Sequence, residues 1–190
     1  MKHPHHEYDG LVFDLNGTFA NTMPTHSVAW SQSMAEYELM LSEERFYALG
    51  GGLPASEIID LLAKEQRQVV GAVAITESKE TLFIVLLGTV QPVIPVQAFA
   101  DFHREHLPMA IAVGSPKWAA EQILQSLGIR DWFRAVVGSE CVTNSKLAAD
   151  AYLRAAELIN SAVILLNDTA LNIQAAQNAG MVVVDIHTLL

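Results

Sequence analysis

A single cysteine, Cys141, stands in a chain of 190 residues. No intramolecular disulfide can form, which fits a reducing, cytoplasmic setting. Basic residues are scarce, 11 Lys and Arg against 21 Asp and Glu, and the formal charge is −10. That balance argues against a nucleic-acid footprint and against binding to an anionic membrane surface. It also means that any anionic ligand must be captured by local charges or a metal, because the overall field repels it. Long apolar runs are missing as well. The longest, "LFIVLLGTVQPVIPV" at 82–96, is interrupted by Pro92 and Pro95 and is too short to span a bilayer. The opening "MKHPHHEYDG" has no apolar stretch, so it is not a secretory signal. Its His3, His5 and His6 read as a polar leader rather than as metal ligands. A monomer or a weak homodimer is expected.

What is abundant is apolar residue, 51% of the chain, enough to bury a core without covalent staples. Residues 8–14 read as a buried strand, short and β-branched. Residues 24–37, 42–50, 54–66 and 67–87 read as helices, the second capped by Ser42 and stopped at Gly50. No strand is expected between 20 and 90. After Pro92 the rhythm alternates. Helices are expected in "PVQAFADFHREH", "PKWAAEQILQSLG", "LAADAYLRAAELI" and "ALNIQAAQNAG", with strands at 109–113, 135–137, 163–166 and 182–186. Apolar strands alternating with helices imply a parallel sheet covered on both faces. The expected architecture is α/β: a Rossmann-like parallel sheet core of residues 1–19 and 91–190, with an inserted all-helical cap of 20–90. "GGG" at 50–52 is not a phosphate-binding P-loop, since no Lys-Ser/Thr follows it. Trp30, Trp118 and Trp132 read as packing residues.

In such sheets ligands bind beyond the carboxyl ends of the strands. The first strand ends on Asp14, within "LVFDLNGTFANT". The next ends on Val113-Gly114-Ser115, and the one at 163–166 runs into Asn167-Asp168. Lys146 precedes the helix that begins near 147. An acid after one strand is usually a cap or turn former. Two acids, a serine and a lysine at successive strand ends point to a site.

These segments resemble the haloacid-dehalogenase superfamily of phosphotransferases, in particular its β-phosphoglucomutase and sugar-phosphate phosphatase branch. The resemblance rests on "FDLNGTFANTMPTHSVAW", "AVGSPKWAAEQILQSLGI", "SKLAADAYLRAAELI" and "NDTALNIQAAQNAGM", and it runs almost the whole chain. It implies a phosphatase for a small phosphorylated substrate such as fructose 1-phosphate. By that resemblance Asp14 attacks phosphorus and forms an aspartyl-phosphate. Mg2+ is held by Asp14, Asp168 and the backbone carbonyl of Asn16. Lys146 offsets charge on the phosphoryl group. Gly17 and Thr18 keep a tight turn and offer backbone N–H groups to phosphate. Gly114 and Ser115 contact the phosphate from the second segment, and His26 sits at the cap entrance.

The departures from the family pattern share a direction. The second acid of the first motif, which passes protons to and from the leaving oxygen and water, is Asn16. An amide cannot do this at pH 7, and general acid–base catalysis is commonly worth about 10²–10⁴-fold. Val113 stands where a Ser or Thr hydroxyl is usual, a loss of about 1.5–3 kcal/mol of contact to a charged group. Asn167 replaces the acid before Asp168, and Asn21 replaces that of the cap linker. Leu147 and Ala149 replace two prolines of the lysine segment, and Asn172 replaces a glycine. The loop "ALGGGLPASE" has no basic residue for the rest of a substrate. Three readings remain open: a slow phosphatase, a pseudoenzyme that binds a phospho-ligand or a protein partner, and a sequence redesigned for the fold without regard to chemistry.

Overall fold

A computed structural model of the chain describes residues 8–49, 55–142 and 148–188. They fall into two compact units, one within Met1–Asn21 and Gln91–Leu190, the other within Thr22–Val90. Lys146, the leader histidines and the 50–52 glycines lie outside the described residues. Among the described residues no helix is long and apolar enough to cross a membrane.

The first unit is built on five parallel strands, β1 (Gly10–Phe13), β4 (Met109–Ala112), β5 (Ala135–Val137), β6 (Val163–Asn167) and β7 (Val182–Asp185). Their order is β5-β4-β1-β6-β7. β1 is central, with Leu11 in register with Met109 on one side and Ile164 on the other. Both β1 and β4 are buried at every position, which is why they lack polar alternation. Four helices connect the strands: α5 (Ile94–His103), α6 (Lys117–Ser126), α7 (Ala148–Ile159) and α8 (Ala170–Asn178). Right-handed crossovers place α5 and α6 on one face and α7 and α8 on the other. α7 packs on α8 and on β1, β4 and β5. Period-two side chains then divide the core. Val12, Ala110, Ala112 and Leu165 meet Ala151, Tyr152 and Ala155 of α7. Phe13, Phe19 and Phe133 pack edge to face, with centroids 5.3–6.1 Å apart. Such pairs add about 0.5–1.5 kcal/mol each beyond area burial. α6 and α8 end as the glycines anticipate: Gly128 and Gly180 take φ of +69° and +81°.

The second unit carries α1 (Met23–Ala35), α2 (Glu43–Leu49), α3 (Ala55–Gln66) and α4 (Ala72–Val85). The Ser42 hydroxyl caps α2 by accepting from the Arg45 N–H at 3.1 Å. Trp30, Met34, Leu39, Ile59, Leu62 and Ile75 form its core.

Three expectations need correction. A strand does lie within 20–90: β2 (Ala20–Asn21) pairs antiparallel with β3 (Gln91–Pro92). Two residues carry no periodicity, so no pattern could reveal them. The helix expected from 67 starts at 72, because Arg67 takes φ +58° and closes α3. Trp118 is 48% exposed on α6, unlike Trp30 at 9%, so packing does not account for it.

Candidate active site

The strand order creates a switch point. From β1 the chain moves toward β4 and β5, whereas from β6 it moves the opposite way to β7. The crevice at the carboxyl ends of β1 and β6 is where such sheets bind ligands. Asp14 and Asp168 stand there, each one residue beyond its strand.

The turn after β1 brings them together. The Asp14 N–H donates to the Leu166 carbonyl at 3.0 Å, which extends the β1–β6 ladder. Asp14 Oδ1 accepts the Leu15 N–H at 2.9 Å. The chain then folds back tightly, with the Phe19 and Ala20 N–H groups both donating to the Leu15 carbonyl. Gly17 takes φ +84°, and a Cβ built there would lie 2.4 Å from Asp168 Oδ2. Both the backbone conformation and the close approach of the carboxylate require glycine. The Thr18 hydroxyl donates to Asp168 Oδ1 at 2.7 Å.

One expectation for this turn does not hold. The Gly17 N–H is already given to the Ala20 carbonyl at 2.9 Å, so it closes the turn and is not offered to a phosphate. No backbone carbonyl among the described residues accepts the Thr18 N–H.

Burial dominates the electrostatics. Asp14 is 7% exposed, and its pKa is pushed up to about 7. Desolvation is the largest cause, the Leu15 N–H opposes it, and the charge of Asp168 adds to it. Two like charges in a shielded crevice are a place for a cation. The donor set suits a hard one: two carboxylates, with the Asn16 carbonyl in the adjoining turn. Among the described residues no group of three or more His, Cys, Asp or Glu side chains could hold a metal. A hard cation here would have to complete its shell with water or with oxygens of a ligand.

The remaining candidates are distributed as follows. Val113 is buried, and its N–H donates to the Val137 carbonyl at 2.9 Å, which continues the β4–β5 ladder. Gly114 is exposed, and among the described residues nothing lies within 4 Å of a Cβ built on it. Ser115 accepts the Ser139 N–H through its carbonyl, while its buried Oγ has no partner among the described residues. His26 belongs to the other unit, on α1. Its ring stacks on Phe83 with centroids 4.0 Å apart. Burial, then the charge of Lys79, pushes its pKa down to about 3, so the imidazole is neutral.

Sequence reasoning missed two features. Lys79 is buried within the helical unit, its ammonium 2.9 Å from Glu80 and 5.2–5.5 Å from the Phe83 and Trp30 ring centres. Tyr152 and Asn167 are hydrogen-bonded beneath the site at 2.8 Å. A signal for the second existed: Tyr152 lies on the apolar stripe Ala151, Tyr152, Ala155, Ile159 of α7, and a buried phenol needs a partner.

The sequence profile described as haloacid dehalogenase-like hydrolase matches residues 11–186. The chain belongs to this family. It is 33% identical over 186 residues to the fructose-1-phosphate phosphatase YqaB of Escherichia coli K12, covering 96% of this chain and 98% of that protein. It is 25% identical over 185 residues to a phosphorylated carbohydrates phosphatase of Thermotoga maritima, covering 91% and 82%. Its fold matches the crystal structure of CbbY from Rhodobacter sphaeroides in complex with phosphate. That match has a TM-score of 0.76 at 19% identity and covers 93% of this chain and 84% of that one.

Proposed function

We propose that the chain is a Mg2+-dependent phosphomonoester hydrolase for small sugar phosphates that works through an aspartyl-phosphate on Asp14. The observation that carries this reading is the pair Asp14 and Asp168, brought to the switch point by a turn that only Gly17 fits. The likeness to phosphatases of fructose 1-phosphate and of phosphorylated carbohydrates supports the substrate class. Asp14, Asp168 and the Asn16 carbonyl would hold the cation, whose charge, when it is bound, offsets that of the nucleophile and the phosphoryl oxygens. One Asp14 oxygen is engaged by the Leu15 N–H, and the other is assigned the attack on phosphorus. The P–O ester bond breaks and the sugar alkoxide leaves. Water then attacks the aspartyl-phosphate, releasing inorganic phosphate and restoring the carboxylate. The Thr18 N–H and the unpartnered Ser115 Oγ are suitable donors to phosphoryl oxygens. Lys146 is assigned the countercharge at the phosphoryl group. The unit Thr22–Val90 is assigned the part of a cap, and the neutral His26 can supply a hydrogen bond but not a positive charge.

The alkoxide must take a proton and the attacking water must lose one, and the amide of Asn16 can do neither. Turnover of sugar phosphates is therefore slow. Asn16→Asp raises it by about 10²-fold or more. The gain is smaller with p-nitrophenyl phosphate, whose leaving group needs no proton. Steady-state phosphate release with both substrates is the test. If Asn16→Asp stays at the background rate with both, hydrolysis is not the function. The second reading then takes its place: a protein on the same scaffold that binds a phospho-ligand or a partner without catalysis. What favours that reading is that Val113 and Asn167 are both well accommodated where hydroxyl and acid are usual.

A further inference from the structure

The amide at 167 makes two hydrogen bonds whose directions can be assigned. Asn167 Oδ1 accepts the Thr169 N–H at 2.8 Å. A backbone N–H can only donate, so this fixes which end of the amide is oxygen. The other end, Nδ2, therefore faces the Tyr152 hydroxyl at 2.8 Å and donates to it. Asn167 is fully buried and Tyr152 is 3% exposed. Between the residues that Asn167 ties, 167 and 169, stands Asp168, whose carboxylate also takes the Thr18 hydroxyl. The backbone that carries Asp168 is thus pinned from below by one side chain. That side chain is in turn held by a phenol on a different element, α7.

We propose that Tyr152 and Asn167 act as a positioning pair for Asp168. The phenol orients the amide, the amide fixes the Thr169 N–H, and the turn between them aims the Asp168 carboxylate at the cation and the first-strand turn. A carboxylate at 167 could make the same two contacts only if the Tyr152 O–H reversed and donated. The amide keeps the contacts without adding a negative charge. Second-layer partners of metal ligands typically carry 10–100-fold in metal affinity. The inference rests on the reading of Asp14 and Asp168 as the cation pair, and the test separates the two.

Mg2+ binding is measured by calorimetry on the full chain at a temperature well below the melting transition, with melting followed by circular dichroism. Asp168→Ala abolishes binding. Tyr152→Phe, which leaves Asn167 in place but frees it to turn, weakens binding about tenfold. Asn167→Ala weakens it at least as much. Asn167→Asp, which can keep both contacts, binds at least as tightly as the wild type. Should Asn167→Ala fail to fold, Tyr152→Phe and Asn167→Asp carry the test alone. If Tyr152→Phe melts lower yet binds Mg2+ within twofold of the wild type while Asp168→Ala loses it, the pair is merely structural and the proposal is wrong. If Asp168→Ala binds as the wild type does, the cation pair itself is misassigned and the proposal falls with it.

Discussion

Replacing Asp14 by Asn should stabilise this protein at alkaline pH and do little at acid pH. Asn is nearly isosteric, and its Oδ1 can still accept the Leu15 N–H that Asp14 accepts at 2.9 Å. What the substitution removes is a charge that burial opposes. The folded-state pKa of about 7 stands above the ordinary 3.8, so between those values the native state holds a proton that the unfolded state has released. Stability therefore falls as pH rises from about 4 to about 7 and is flat on either side as far as this group is concerned. A shift of about 3 units at 1.36 kcal/mol each is about 4 kcal/mol. Above pH 8 the wild type bears that whole cost, and below pH 4 it bears none. For a protein of this length 1 kcal/mol moves the melting temperature by about 2–4 °C. In EDTA, Asp14→Asn should thus melt about 8–16 °C above the wild type at pH 8.5 and within a few degrees of it at pH 4. Circular dichroism melts across this range measure the difference. A gap of equal size at both pH values would show that burial does not hold the carboxyl up. A variant less stable at pH 8.5 would show that the carboxylate is stabilised where it stands. With Mg2+ added the gap at pH 8.5 should narrow, because a bound cation removes the cost in the wild type only.

Two further outcomes follow from single residues. Gly17→Ala places a Cβ 2.4 Å from Asp168 Oδ2 on a backbone at φ +84°. It should cost more than the roughly 1–2 kcal/mol of the left-handed conformation alone and weaken Mg2+ binding, read by chemical denaturation and calorimetry. Lys79→Met replaces a buried ammonium whose partner Glu80 is 42% exposed. It should leave stability unchanged or raise it by about 1 kcal/mol, and because it removes the charge that, after burial, holds His26 down, the His26 NMR titration midpoint should rise.

The core was legible because its strands are short, apolar and bounded by helices of plain periodicity. Asp14 was legible because it directly follows an apolar run, and Asp168 because it stands one residue beyond another, and a strand end in such a sheet has a known destination. The pairing of Ala20–Asn21 with Gln91–Pro92 was not legible, since a two-residue ladder between segments so far apart leaves no local pattern. Nor was the fate of the Gly17 N–H. A Gly-Thr turn beside an acid suggests amides turned outward, but whether one is spent on closing the turn depends on where Ala20 returns. The Tyr152–Asn167 contact joins residues 15 apart on a helix and a strand, and only the packing of α7 on the sheet decides that it forms.

The two asparagines of the site bear differently on its chemistry. Asn167 satisfies both ends of its amide, so an acid there would add charge without adding a contact. Asn16 stands in the turn itself, where in the proposed reading an acid would supply a proton-transfer group. Yet an amide in place of an acid adds no repulsion around Asp14, whose carboxyl already resists ionisation through burial and the charge of Asp168. Acids at 16 and 167 would deepen that resistance in the metal-free protein and strengthen the attraction for a cation. In the proposed reading, amides at both positions give up cation affinity, and at 16 acid–base chemistry, for a site that is less costly to fold empty. Lower stability in Asn16→Asp without Mg2+, recovered when Mg2+ is added, is the signature this argument requires.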